Sequence, residues 1–248
     1  MLTIVIPTLN EADDLPRTLK SVKFADELLV IDSGSTDNTV AIAKKLGAKV
    51  IKHEFVNFKE LRNFADRKAK HDWILSIEAD VVVPPELAEE INAAVKGEPA
   101  AYKIGRINII FGKEILHSDW GPHDDNHIRL YHRSLGKWQG EVHEQFVAPQ
   151  ARQLQHRLLH YNYKTVEEYL DKINFYSELE VKRRVATGKK FSIVQLLWEP
   201  MRDFGKRFFY KLGFFDGLHG LFLACLQAIY YLTVNIKMYT QSQVHHDH

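Results

Sequence analysis

The chain has 248 residues, of which 45% are hydrophobic and 26% are charged. At about 150 residues per domain, this length predicts one large domain or a domain with an appendage. The composition excludes a disordered chain, a collagen-like repeat and a bare coiled coil. The formal net charge is only +1, so the chain has no overall positive field of the kind that would predict a nucleic-acid partner.

Cysteine usage and the N-terminal sequence both bear on the compartment. Cys225 is the single cysteine, so no internal disulfide can form, which fits a reducing environment. The N-terminal segment carries no basic region before Glu11, unlike a secretory signal peptide. We therefore expect a cytoplasmic protein.

The first 80 residues predict alternating strands and helices. Short apolar runs rich in β-branched residues predict buried strands at residues 2–6, 28–31, 50–51 and 73–77. Apolar residues at helical spacing predict helices around residues 15–22, 36–46 and 58–65. Pro16 fits only the first turn of the first helix, and Gly47 is placed as the cap of the second. The order is that of repeated βαβ units.

Three polar clusters follow the ends of these predicted strands, at Pro7–Glu11, Asp32–Asp37 and Glu78–Asp80. Ligands of open α/β sheets bind outside the carboxyl ends of the strands, so the clusters predict a binding site. No G-x-G-x-x-G follows the first strand, and the P-loop pattern is absent from the sequence. A dinucleotide dehydrogenase and a P-loop ATPase are therefore disfavoured.

The clusters resemble the signatures of family 2 glycosyltransferases, and the later motifs are similar to the lipopolysaccharide-core β-1,4-glucosyltransferase branch. The resemblance implies an α/β fold with a GT-A-like, mainly parallel nucleotide-binding sheet flanked by helices, and a helical C-terminal extension. We expect the transferase domain at 1–163, the extension at 164–240 and a disordered tail at 241–248. The matching segments are Pro7–Glu11, Val30–Thr39, Arg62–Ala65, Asp72–Asp80, Asp125–Tyr131 and Gly136–Glu144.

The resemblance also implies a donor site at the strand ends. Asp32 can accept hydrogen bonds from a uracil or a ribose, and Glu11 can do so across the cleft. Loop closure and helix capping are the alternative roles of such residues, and capping is favoured for Asp37. Lys59 and Arg62, three apart on one helix, are diphosphate ligands or solvated charges. The donor-binding set is Thr8, Asn10, Glu11, Asp32, Ser33, Lys59, Arg62 and Glu78.

Glu78 and Asp80 predict a divalent metal site. On an extended segment, both carboxylates would point to the same side and converge on Mg²⁺ or Mn²⁺. Glu78 is one methylene longer than the aspartate common in the family, so Asp80 is the safer ligand. His143 would complete the metal shell or orient the neighbouring acid. An exposed acidic turn is the alternative interpretation.

Inverting transfer needs a carboxylate that deprotonates the acceptor hydroxyl. We favour Glu144 as this base, because it matches the position of the acceptor-side acid in relatives, with Asp125 as the second candidate. A zinc hydrolase is disfavoured, because the H-E-x-x-H motif that begins at His143-Glu144 would need a second histidine at position 147, where Val147 stands.

The C-terminal third mixes basic and aromatic residues. Basic residues at 182–190 precede Phe191, and those at 202–211 are interleaved with phenylalanines. This mixture predicts peripheral contact with an anionic membrane on its cytoplasmic face, with a helical flap or a homodimer face as alternatives. Gly217–Ile236 has no charged residue and is long enough to span a bilayer, but its polar residues favour a buried or surface-lying helix.

We therefore predict an inverting glycosyltransferase that moves a hexose from a nucleotide-sugar donor, a uridine diphosphate sugar, to a glycan or glycolipid such as lipopolysaccharide core. Two alternatives stay open. A nucleotidyltransferase would share the sheet and the metal site, but its Gly-rich loop is missing after the first strand. A catalytically silent binding or scaffold protein is the other alternative, motivated by Glu78.

Overall fold

A computed structural model describes residues 1–140 and 144–244 of the chain. Over these residues the strands and α-helices are numbered in chain order. The strands are β1 (Leu2–Thr8), β2 (Glu27–Asp32), β3 (Lys49–Lys52), β4 (Trp73–Ser76), β5 (Val81–Val82), β6 (Ala101–Ile110), β7 (Lys113–Ile115), β8 (Asn126–His132), β9 (Lys137–Gln139), β10 (Gln145–Val147), β11 (Arg152–Gln153) and β12 (Leu158–Tyr163). The helices are α1 (Leu15–Ser21), α2 (Thr39–Lys45), α3 (Phe58–Lys68), α4 (Pro85–Ala94), α5 (Val166–Ala186), α6 (Ile193–Gly205) and α7 (Leu218–Val244).

The alternation of strands and helices predicted for the first 80 residues is confirmed. Pro16 lies in the first turn of α1, where its missing N–H breaks no helical hydrogen bond. Gly47 follows α2 with a φ of +86°, a conformation that glycine adopts without strain. α2 begins at Thr39 rather than at residue 36, because the Asp37 carboxylate accepts hydrogen bonds from the amide and hydroxyl of Thr39 and closes the preceding loop.

The chain divides into two compact units. The first comprises Met1–Ile107 and Pro122–Tyr161, and the second comprises Asn108–Gly121 and the chain from Asn162 onward. The first unit holds most of the sheet, and the second holds helices α5, α6 and α7.

The strand order of the sheet is β3-β2-β1-β4-β8-β6-β12-β5. β3, β2, β1 and β4 are parallel, whereas β8 is antiparallel to both β4 and β6. The carboxyl ends of the four parallel strands therefore share one edge. This α/β sheet, with flanking helices and a helical C-terminal part, confirms the predicted fold class.

Side chains of β1 are buried on both faces of the sheet. Ile4 and Ile6 pack into one apolar cluster with Leu15 of α1, and Val5 packs into another with Leu61 of α3. Successive strand residues point to opposite faces, so the apolar run of β1 requires cover on both sides. Helices on each face provide that cover and hold the strand ends in place.

The second unit is built around α7, which packs against α5 and α6. Leu218–Ser242 is long and apolar enough to cross a membrane by length and composition, with a mean hydropathy of 1.4. A packed core helix meets the same criterion. α7 continues through residues 241–244, which the sequence assigned to a disordered tail, because no helix breaker precedes them and the Ser242 hydroxyl donates to the carbonyl of Tyr239. Residues 245–248 lie outside the described part of the chain.

Candidate active site

The loops that follow β1 and β2 are joined at the carboxyl edge of the sheet. The amide of Asn10 donates to Ser35 Oγ at 2.9 Å, and the amide of Thr36 donates to Asn10 Oδ1 at 2.8 Å. Asn10 has a φ of +56°, in the left-handed region that asparagine tolerates better than most residues. The amide of Glu11 donates to the Thr39 hydroxyl at 2.8 Å. The structure thus brings the first two polar clusters together.

Asp32 is buried, and its carboxylate closes the loop after β2. Its oxygens accept hydrogen bonds from the amides of Gly34 and Ser35, each at 3.2 Å. Gly34 has a φ of +103°, which favours glycine at this turn. Nearby, the amide of Ser33 donates to the Thr8 carbonyl at 2.9 Å. These contacts show the loop-closing role of Asp32, and the donor contacts of these residues stay a prediction.

Glu78 lies among arginines. Its carboxylate oxygens are 3.1–3.3 Å from guanidinium nitrogens of Arg62, Arg106 and Arg129. We call these four residues the arginine cluster. Burial raises the pKa of Glu78, but attraction from the three guanidiniums, Arg129 foremost, outweighs burial and holds the pKa well below its usual range. Glu78 is therefore ionised at the centre of the cluster.

The expected convergence of Glu78 and Asp80 on one cation is not what the structure shows. Glu78 and Asp80 lie in a turn closed by a hydrogen bond from the Val81 amide to the Glu78 carbonyl, so the alternation of an extended strand does not apply. Asp80 Oδ2 lies 3.2 Å from Nε2 of His160, whereas the oxygens of Glu78 lie against arginines. With arginines on both its oxygens, Glu78 does not fit a metal ligand.

Glu144, the favoured base, is joined to the cluster through Arg62. Arg62 Nε donates to Glu144 Oε1 at 3.0 Å, and another of its nitrogens donates to Ser76 Oγ at 2.7 Å. The Arg62 guanidinium carbon also lies 4.5 Å from the ring centre of Trp138. Arg62 is only 6% exposed, so it is not a solvated helix charge. Lys59, one turn earlier, instead lies 3.6 Å from Glu60.

Asp125, the second base candidate, is joined to the cluster through the other two arginines. Arg106 Nε donates to Asp125 Oδ2 at 2.7 Å, and a nitrogen of Arg129 lies 3.6 Å from Oδ1. Both base candidates are thus held by arginines that also hold Glu78. Three carboxylates, those of Glu78, Glu144 and Asp125, are thus paired with three guanidiniums.

Sequence reasoning missed Arg106 and His160. Both lie on strands that are otherwise largely apolar or aromatic, β6 and β12, and neither falls in a recognised motif. A charged residue in a buried strand needs a partner, which was the available signal for Arg106. Its partners, Glu78 and Asp125, come from elsewhere in the chain and only the fold identifies them.

Asp80 is the described residue that best fits a divalent cation. Its Oδ1 atom is buried and has no hydrogen-bond donor within residues 1–140 and 144–244. A carboxylate oxygen without a donor suits a hard cation such as Mg²⁺ or Mn²⁺. The same residues contain no group of three or more His, Cys, Asp or Glu side chains placed to hold a metal. His143, the further predicted ligand, lies outside the described residues.

A buried hydrogen-bond chain stands beside the arginine cluster. Trp138 Nε1 donates to the Tyr131 hydroxyl at 3.0 Å, and that hydroxyl donates to Asp66 Oδ1 at 2.8 Å. Burial raises the pKa of Asp66 to about 6, although the hydrogen bond from Tyr131 and the charge of Arg62 both lower it. Asp66 therefore binds its proton more tightly in the folded chain than in the unfolded chain.

Replacing Asp66 with asparagine should make stability less dependent on pH. Because the folded-state pKa is raised, the proton on Asp66 stabilises the fold below pH 4, and this contribution is lost as pH rises through about 6. A shift of this size corresponds to roughly 2–3 kcal/mol. Urea unfolding at pH 4.5 and pH 7.5 should show Asp66→Asn gaining stability over the wild type at the higher pH. An equal change at both pH values, or the same gain in the exposed control Asp171→Asn, would contradict this.

The family model described as Glycosyl transferase family 2 matches residues 3–148, more than half of the chain. The chain belongs to this family. It is a glycosyltransferase, and the predicted resemblance is confirmed.

Relatives along most of the chain carry the same description. An uncharacterized glycosyltransferase of Rickettsia bellii is 32% identical over 235 residues, which cover 88% of this chain and 79% of that protein. The lipopolysaccharide core biosynthesis glycosyltransferase LpsC of Rhizobium meliloti is 25% identical, covering 96% of this chain and 92% of LpsC.

Among solved structures, glucosyl-3-phosphoglycerate synthase of Mycobacterium tuberculosis, solved with Mn²⁺ and uridine diphosphate, is 24% identical over 44% of each chain, with a TM-score of 0.37.

Proposed function

We propose that this glycosyltransferase moves a hexose from a uridine diphosphate sugar to a glycan or glycolipid acceptor of the lipopolysaccharide-core type, with inversion at the sugar carbon. The observation that carries the proposal is a pair of arginine-held carboxylates, Glu144 and Asp125, in the same unit as Asp80. The similarity to LpsC along nearly the whole chain supports the acceptor class.

Donor binding is assigned to the joined loops after β1 and β2. Asp32 and Glu11 carry the carboxylate oxygens suited to a uracil imide or ribose hydroxyls. The hydrogen bonds between Asn10, Ser35 and Thr36 hold both loops in one arrangement before a ligand arrives. A site held in this way loses little conformational entropy on binding.

Asp80 is the proposed ligand of Mg²⁺ or Mn²⁺, through its buried Oδ1 atom. A bound cation would offset the negative charge of the diphosphate leaving group. His160 holds the other oxygen of Asp80 and thereby fixes the orientation of the carboxylate.

Glu144 is the proposed base. The acceptor hydroxyl attacks the sugar carbon, the bond from that carbon to the diphosphate breaks, and the hydroxyl proton passes to the carboxylate. The electron pair of the broken bond leaves with the nucleoside diphosphate. Arg62 orients Glu144 through its Nε hydrogen bond. Asp125 remains the second candidate, and Arg106 Nε donates to it at 2.7 Å.

Uridine diphosphate together with Mn²⁺ should raise the melting temperature of the purified protein. A ligand that binds only the folded state stabilises it, by about 2.7 kcal/mol at a hundred times its dissociation constant. The measurement is a thermal scan with uridine, guanosine and adenosine diphosphates, each with and without Mn²⁺. A manganese-dependent shift with uridine diphosphate alone is expected. A folded protein that responds to none of the nucleotides would favour the silent scaffold, and hexose transfer from the uridine diphosphate sugar would exclude it.

A further inference from the structure

Helix α6 turns apolar side chains outward and carboxylates inward. Its outward residues recur at the spacing of one helix face, and each is 57–69% exposed. Glu199 and Asp203, on the opposite face, are only 7% and 4% exposed. A helix on the surface of a protein in water has the reverse arrangement. The outward residues are Ile193, Val194, Leu197, Trp198 and Met201.

The inward carboxylates are held by specific partners. A nitrogen of Arg184 donates to Glu199 Oε2 at 2.9 Å, and Asn235 Nδ2 donates to the same oxygen at 2.8 Å. Arg207 Nε donates to Asp203 Oδ2 at 2.8 Å. Buried carboxylates are costly unless they are paired, so rolling α6 to hide its apolar face would break these contacts. The outward apolar face is therefore a fixed feature of the second unit.

In the C-terminal segment, residues 181–244, the acidic side chains are buried and the exposed charged side chains are basic. All three carboxylates between residues 181 and 244, Glu199, Asp203 and Asp216, are buried. The exposed charged side chains of the same segment are all basic. They are Lys182, Arg183, Lys189, Lys190, Arg202 and Lys206. Glu178, just before this segment, is exposed and paired with Lys182, and Lys206 is paired with Asp119, so attraction to an anionic surface is expected chiefly from Lys189, Lys190 and Arg202.

Further exposed aromatic residues follow α6 in the chain. Phe209, Tyr210 and Phe215 are 61–78% exposed, in the short turns between α6 and α7. Aromatic and aliphatic side chains bordered by lysine and arginine are the composition of segments that lie in the boundary between headgroups and acyl chains. The occupant indicated by this combination is an anionic lipid bilayer.

We propose that the outward face of α6, with the aromatic residues that follow it, inserts into the headgroup region of an anionic bilayer. We call this surface the α6 face. A second copy of the chain fits less well, because a two-fold dimer through this face would bring like-charged borders of the two copies together. The proposal does not depend on the donor, the acceptor or the active-site residues.

The test is flotation of the full chain with vesicles of equal parts phosphatidylglycerol and phosphatidylcholine, and with pure phosphatidylcholine. We expect binding to the anionic vesicles, weakened by salt, and much less to the neutral ones. Trp198→Glu should abolish binding. Val56→Glu is the matched control, since Val56 is also strongly exposed, at 68%, but lies in the first unit. It should bind as the wild type does.

A second pair of variants tests the charge. Lys189→Glu combined with Lys190→Glu should weaken binding to the anionic vesicles at least about tenfold. Lys44→Glu combined with Lys45→Glu makes the same change on two adjacent exposed lysines of the first unit and should leave binding unchanged. Melting temperatures of all variants establish that they are folded.

Four results would overturn the proposal. They are a wild-type chain that binds neither vesicle, full binding by folded Trp198→Glu, and binding that resists alkaline carbonate, which would indicate insertion of α7. The fourth is a wild-type dimer in light scattering that Trp198→Glu converts to a monomer without any vesicle binding, which would identify the α6 face as a contact between copies.

Discussion

Asp80→Asn should greatly slow metal-dependent hexose transfer while leaving the fold intact. Asparagine keeps the size of the aspartate side chain but lacks the negative charge with which we propose that Asp80 binds a cation at its buried Oδ1 atom. Metal ions contribute several kcal/mol to such reactions, so turnover at saturating Mn²⁺ should fall about 100- to 1000-fold. The measurement is initial-rate transfer as a function of Mn²⁺ concentration.

The matched control for Asp80→Asn is Asp171→Asn, an exposed aspartate in the second unit. The control should keep wild-type turnover and the same response to Mn²⁺. If folded Asp80→Asn retained the wild-type metal response, Asp80 would not be the metal ligand. The proposed transfer reaction could still hold in that case, because the base variants report on it separately.

Glu144→Gln should slow transfer by about 100-fold or more, with little change in the KM for the donor. A glutamine cannot take the acceptor proton, and general base catalysis typically contributes this much or more. Its carbonyl oxygen can still accept the hydrogen bond that Arg62 donates, so the cluster should stay assembled. Steady-state kinetics with a varied donor concentration separates the effect on kcat from the effect on KM.

Asp125→Asn is the comparison that decides between the two carboxylates. It makes the same loss of charge at the other arginine-held position, beside Arg106. A large loss of kcat in Glu144→Gln and a small one in Asp125→Asn would assign the base to Glu144. The reverse result would assign the base to Asp125. A wild-type kcat in both variants would exclude both residues as the base.

The strands that end at the carboxyl edge could be predicted because the sequence pattern that indicates them is local. The apolar run of β1 must be buried on both faces, and Pro16 and Gly47 mark helix ends through their own backbone preferences. The prediction that failed at Glu78 depended on neighbours that are far away in sequence. Whether Glu78 faces a cation or an arginine is decided by α3, β6 and β8, which supply the three guanidiniums.

The same distinction applies to the C-terminal segment. Its mixture of basic and aromatic residues was visible in the sequence, but the direction in which α6 faces was not. Nothing in the sequence shows that Glu199 and Asp203 are buried, because their partners Arg184 and Arg207 are identified only by the fold. Burial of those carboxylates is a tertiary effect, and it is what leaves the apolar residues outside.

The arginine cluster also has a consequence for the order of folding. Arg62 donates directly to Glu144, 82 positions later, and it is linked through Glu78 to Arg106 and Arg129. Contacts between distant segments form late, because the intervening chain must first be ordered. During synthesis, β1 to β4 can therefore pair while Arg62 and Glu78 still lack most of their partners. The proposed catalytic arrangement is completed only when the chain through Glu144 has been made and Glu144 has paired with Arg62.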